Sequence, residues 1–233
     1  MTGIDLTVPV VIAFRLPEDP RCSRDALAAA ALQLPPDRVE HHLGDLPRLA
    51  PEGRTKKLPL PIDEVVRTID GNGSWVMLPG LGALSEYQPL MRRVGAPLQL
   101  ALRAAGELPV ASDLIAFLAA PHASVPIHYD VNHHLLVQVE GTKTVGIGYF
   151  DDEDVRQRQI ERGLYEYRLN ADREPDRVDR FVVGPGHALV IPAFAFHWVE
   201  GGDDSSIALT YVVGTETTIQ LADAYRVSAR AHS

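Results

Sequence analysis

From Asp113 to Val213 the chain is broken into short β-rich runs separated by turn residues. This punctuation constrains the fold more than any other feature. Residues 114–119, 125–131, 135–140, 142–150, 180–183, 188–191, 198–200 and 207–213 read as about eight strands. Their number and spacing predict a mainly β architecture with flanking helices, an antiparallel double-stranded β-helix or jelly roll. Glu140-Gly141 predicts a hairpin turn between the third and fourth strands. Residues 151–163, dense in both charges, predict a helical insertion carrying i,i+4 ion pairs such as Asp152 with Arg156.

The first 112 residues have a different texture. Residues 8–14 form a β-rich run closed by Pro17 and Pro20, and Ser23 is a suitable N-cap for a helix over 25–34 that Pro35-Pro36 ends. Residues 39–57 are polar and predict a surface loop, with His41-His42 exposed on it or, alternatively, folded over the mouth of a pocket. Residues 60–70 predict a short helix stopped by Gly71-Asn72-Gly73, and 74–78 a strand. Ser85 can cap a helix through Arg93, and Pro97 can open a second one reaching Ala105, because proline fits a first helical turn. The expected organisation is one structural domain: an N-terminal α/β elaboration (1–112) packed on a jelly-roll core (113–215), followed by a C-terminal helix (216–233). Ile219, Leu221, Ala222 and Tyr225 fall on one side of that helix, as a homodimer surface or a cover for the barrel.

Composition narrows the function classes. A formal charge of −9, with no basic run, argues against nucleic acid as a partner. No stretch reaches the roughly 18 apolar residues of a membrane span, and no basic leader precedes residues 8–14. Cys22 is the only cysteine, which rules out an internal disulfide and a thiolate cluster and makes a reducing cytoplasm the expected location.

Within the β-rich half, His128 and Asp130 stand two residues apart, so on an extended strand both side chains share a face. A third ligand is available at His197, after the run Gly186 to Phe196. Two histidines and one carboxylate on one side of Fe(II) leave the opposite positions open for a cosubstrate and oxygen. Gly141-Thr142-Lys143 places a lysine fifteen residues after His128.

With His-x-Asp, Gly-x-Lys and a distal Gly-x-x-x-x-Ile-Pro-x-x-x-x-His (Gly186 to His197) in place, residues from about 113 to 215 resemble the JmjC, or cupin-like, branch of the Fe(II)/2-oxoglutarate oxygenases, especially small stand-alone bacterial members. The resemblance covers under half of the chain. It implies a hydroxylase using Fe(II), 2-oxoglutarate and O2, with His128, Asp130 and His197 as iron ligands and Lys143 answering the C5 carboxylate, whose burial without a counter-charge would be costly. The substrate class it implies is a peptide, a protein or a small molecule. Three positions depart from the family pattern. His134 stands where many relatives have asparagine, Val125 where some have threonine with Ser124 as its neighbouring substitute, and Thr210 with Val212 where some have asparagine near the cosubstrate. His134, Ser124 and Thr210 are therefore further cosubstrate-binding candidates.

Each residue has a plainer reading too. One His-x-Asp among nine histidines can arise by chance, and only its combination with Lys143 and His197 points to a site. Lys143 could be a solvated turn lysine. Of His133 and His134 at most one faces the site, and His133 reads as surface or rim. Asn132 shares the parity of the two ligands, while Trp75 and Tyr87 read as core residues, with cosubstrate contacts as the alternative. The alternative class is a cupin-type metal protein, a sensor or a Zn or Mn enzyme, that does not use 2-oxoglutarate.

Overall fold

The computed structural model describes residues 3–16, 18–50 and 56–232, so Pro17 and positions 51–55 of the expected polar loop lie outside the described residues. In chain order the elements are β1 (Val10–Ala13), α1 (Arg24–Ala31), β2 (Glu40–Leu43), α2 (Ile62–Arg67), β3 (Ser74–Leu78), α3 (Gln88–Ala105), β4 (Pro109–Ala119), β5 (Ser124–His128), β6 (His133–Glu140) and β7 (Lys143–Tyr149). Then follow α4 (Glu153–Glu166), β8 (Arg177–Val183), β9 (His187–Ile191), β10 (Phe196–Gly201), β11 (Ser206–Thr215) and α5 (Glu216–His232).

The strands form two antiparallel sheets, one of seven strands in the order β1-β9-β6-β11-β4-β3-β2 and one of four in the order β5-β10-β7-β8. This is a mainly β jelly roll. Period-two alternation assigns each face its partner. Along β11, Ile207, Leu209, Tyr211 and Val213 join the core that α1, α2 and α3 cover, while Ala208 joins the cluster with Leu136, Val145 and Ile147 between the sheets. A third apolar cluster, around Ile127, Tyr129, Phe196 and Trp198, lies on the other side of the four-stranded sheet and includes Ile160 and Leu164 of α4 and Ala222 of α5. On α5, Ala222 is buried there and Tyr225 packs on it, whereas Ile219 and Leu221 are exposed.

The structure corrects several expectations. Residues 88–105 form one helix with Pro97 inside it, and Ser85 caps nothing, because the helix starts at Gln88. Leu90, Val94, Leu98, Ala101 and Leu102 make an unbroken buried stripe across the proline, and burying each large side chain contributes roughly 1.5–3 kcal/mol, enough to offset a proline's cost of about 3 kcal/mol. At Gly95 the helix comes so near β11 that an added Cβ would sit 2.7 Å from the Tyr211 ring. Within the expected polar loop, Glu40–Leu43 is a strand that pairs with β3, His42 opposite Trp75. Glu140-Gly141 does not close a hairpin, because β6 pairs with β9 and β11 while β7 belongs to the other sheet. Gly141 carries the chain across at φ 67°, where a Cβ would lie 2.3 Å from the Ser205 carbonyl oxygen.

Candidate metal centre

Both histidines expected as ligands come from the four-stranded sheet. His197 on β10 pairs directly with His128 on β5. The strand β5 ends at His128, so Asp130 lies just beyond it rather than on the same strand. It is held there from both sides. The Tyr129 hydroxyl donates to the Ile160 carbonyl at 2.6 Å, and the Asp130 carbonyl accepts from the Phe194 N–H at 2.7 Å. Phe194 has φ 60°, a left-handed conformation costly for a side chain that size, and it sits in the turn that delivers His197. Backbone strain in that turn is thus tied to the segment carrying the carboxylate.

The donor atoms of His128, Asp130 and His197 lie within 4.8 Å of one another. Asp130 Oδ2 is 3.6 Å from each of the two Nε2 atoms. The rings are oriented by their other nitrogens: His128 Nδ1 is 2.8 Å from the Pro126 carbonyl, and His197 Nδ1 is 2.9 Å from that of Ala195. An Nδ1–H donated to a carbonyl leaves the Nε2 lone pair for a cation, the arrangement seen around metal-bound histidines. Burial, with His128 alongside, pushes the His197 imidazole well below its ordinary value. Burial works to raise the Asp130 carboxyl, but His134, His128 and His197 outweigh it and hold it low. Neutral imidazoles and an ionised carboxylate are the protonation states a metal requires. The donor set therefore fits a divalent metal.

Lys143 begins β7 with its side chain buried, 3% exposed, between the sheets. Its ammonium lies 6.0 Å from the centre of the Phe117 ring, and burial alone lowers it to about 8, with no described carboxylate to answer it. Lys143 pairs with Gly201 and Ile147 with His197, so four residues of strand, about 13 Å, separate it from His197 along the sheet. Thr210 is buried on β11 between Ile115 and Leu136, and its hydroxyl has no described partner. Among the described residues Gln138 Oε1 and Ser206 Oγ are also buried without partners.

The other candidates separate. Ser124 Oγ lies 3.0 Å from the Gly44 carbonyl and 2.8 Å from that of Leu46, so its hydroxyl is committed to clamping that loop onto β5 rather than turned to a cosubstrate. His134 faces the centre. His133, on the opposite face of β6, is buried rather than at a rim, and its Nδ1 accepts the Ala193 N–H at 3.2 Å. Asn132 lines the cleft over the centre, a space of about 730 Å³ whose walls include His128, Asp130, His134, Phe117 and Val212. Its far wall takes up the less favoured readings of the sequence, a His41-His42 segment folded over the pocket mouth and Trp75 turned to the cleft rather than to the core. His42 and Trp75 stand there with ring centroids 5.0 Å apart, and His42 Nδ1 and Trp75 Nε1 are buried without described partners.

No family model and no curated protein matches the chain. Among solved structures, that of E. coli ycfD superposes on 94% of the chain at 17% identity with a TM-score of 0.57. The chain spans 52% of the length of that protein. A structure of the DMSP lyases RdDddP and RnDddQII aligns with 44% of the chain at 14% identity and a TM-score of 0.31, too slight a likeness to bear on the argument. At these identities the comparison speaks for the fold, a cupin- or JmjC-like jelly roll. No helix among the described residues is long and apolar enough to cross a membrane.

Proposed function

We propose that the chain is an Fe(II)- and 2-oxoglutarate-dependent dioxygenase that hydroxylates an unactivated C–H bond, of an amino-acid side chain in a peptide or protein or of a small molecule. The observation that carries this reading is Lys143. A buried ammonium without a counter-charge is costly, and the cost is met when an anion binds beside it. The lysine side chain and a five-carbon diacid can together span the strand distance to His197. His128, Asp130 and His197 would hold the iron, and Lys143, with the Thr210 hydroxyl, would hold the far carboxylate of 2-oxoglutarate. The iron, once bound, supplies oxygen activation. The apolar walls formed by Phe117, Ile115 and Val212 keep water from the reacting carbon and leave the cleft as the way in for substrate.

A second reading, a cupin-type metal protein that uses no cosubstrate, is favoured by one observation: a third histidine, His134, approaches Asp130 and could fill a position that 2-oxoglutarate needs. One experiment separates the two. Anaerobic addition of Fe(II) and 2-oxoglutarate to the apoprotein is expected to give a visible metal-to-ligand charge-transfer band that Lys143→Ala weakens and His197→Ala abolishes. Iron that binds without the band, or a band indifferent to both substitutions, favours the second reading.

A further inference from the structure

Asp130 Oδ2 is ringed by three imidazoles rather than two. His134 Nε2 lies 3.7 Å from it, as near as the 3.6 Å of His128 and His197. The third ring arrives from the other sheet: His134 lies on β6, between Ile191 of β9 and Val212 of β11. Its edge meets the His197 ring at a centroid distance of 6.0 Å. It nevertheless stands one step outside the group whose donor atoms are all within 4.8 Å of each other. The three rings also differ in how they are held. His128 and His197 each spend Nδ1 on a backbone carbonyl two residues earlier. Among the described residues nothing hydrogen-bonds the Nδ1 of His134, whose ring lines the cleft. Ligand orientation is normally secured through the second ring nitrogen, so two of these histidines are fixed in that way and the third is not.

We propose that His134 is a fourth, yielding ligand of this metal centre: its Nε2 binds the metal at rest and leaves when an α-keto acid chelates it. This rests on the metal-centre reading above. Three histidines and a carboxylate hold the metal more firmly than the facial triad alone, and they occupy a position that would otherwise be open before the cosubstrate arrives. The two states differ by movement of the His134 ring toward or away from the three-residue group, just outside which it now stands.

The test is to load the protein with one equivalent of Cu(II) and count coordinated imidazoles by pulsed EPR before and after adding 2-oxoglutarate. Three at rest and two with 2-oxoglutarate are expected. In His134→Gln, which keeps a polar side chain of similar size, the count should be two in both conditions. That variant should also hold Cu(II) about tenfold or more weakly and bind 2-oxoglutarate several-fold more tightly, since nothing has to be displaced. A merely structural His134 would not tighten the cosubstrate. Two imidazoles at rest in the native chain, or three that persist at saturating 2-oxoglutarate, overturn the proposal. Failure to bind any metal removes the metal-centre reading and this one with it, whereas a bound metal with two imidazoles at rest removes this one alone.

Discussion

The two faces of β10 carry opposite kinds of chemistry. Outward, the charged and polar groups answer one another. Glu200 accepts from the Trp198 indole at 3.1 Å, from Arg48 at 3.2 Å and from Arg180 at 2.8 Å, and both guanidinium groups lie over the Trp198 ring. Inward, the groups are unevenly matched. Three imidazoles crowd one carboxylate, the Lys143 ammonium on the neighbouring strand has no described counter-charge, and the Thr210 hydroxyl has no described partner. A face that only had to be stable would be built like the outward one. Buried polar groups left unpaired cost stability, and the cosubstrate of the proposed function would answer several of those retained between the sheets.

Lys143→Met is the sharpest way to break the contrast. Burial lowers the Lys143 ammonium from 10.5 to about 8, so the charged form is worse off in the folded chain than in the unfolded one. The penalty is present in full below pH 8, fades between 8 and 10.5, and is gone above that window. At about 1.4 kcal/mol per unit, the apoprotein should gain up to about 3 kcal/mol at pH 7 on substitution. Denaturant melts of the apoprotein at pH 7 and pH 10.5 check this. The variant's advantage should shrink at the higher pH, while its affinity for 2-oxoglutarate falls by at least an order of magnitude. A variant less stable than the native chain at pH 7 would mean that Lys143 has a partner in the folded state.

Ser124→Ala tests the border between the faces, since Ser124 pairs with Glu200 across β5 and β10. Its hydroxyl holds the carbonyls of Gly44 and Leu46, so the change should cost about 1 kcal/mol. Hydrogen exchange should show faster opening of the loop around residues 44–46, with 2-oxoglutarate affinity unchanged. A loss of cosubstrate affinity larger than the loss of stability would return Ser124 to the ligand-binding face.

These residues also mark how far the sequence could be read. Lys143, His197 and the special position of His134 came from the family resemblance. Strand parity paired His128 with Asp130 and set His134 apart from His133, because a strand's side chains alternate whatever the strand pairs with. The strands from 74 to 78 and from 188 to 191 were legible for the same reason. Parity is silent on who lies opposite. It could not reveal that β6 and β7 part into different sheets at Gly141, that the loop after β2 consumes the Ser124 hydroxyl, or that His42 meets Trp75 at the cleft. The break expected before Pro97 failed for a related reason. A local proline signal was overridden by a buried stripe whose partners, such as Tyr211, lie more than a hundred residues away.

Glu200→Gln carries the smallest expected effect and probes the outward face by its own logic. Burial alone would raise the Glu200 carboxyl, but hydrogen bonds from Arg180 and Trp198 outweigh it and hold it below its ordinary value of 4.5. A carboxylate favoured in the folded state contributes stability above that ordinary value and loses it as pH falls through the depressed one. The side chain is about a third exposed, so screening by water limits its contribution to about 1 kcal/mol or less. Native and variant melts should therefore differ by that amount at pH 7 and converge toward pH 3, and salt should narrow the gap at neutral pH. Metal and 2-oxoglutarate affinities should not change, because Glu200 points away from His197 along the same strand. If they did change, the two faces of β10 would be coupled, and the outward cluster would have to be counted among the groups that position His197.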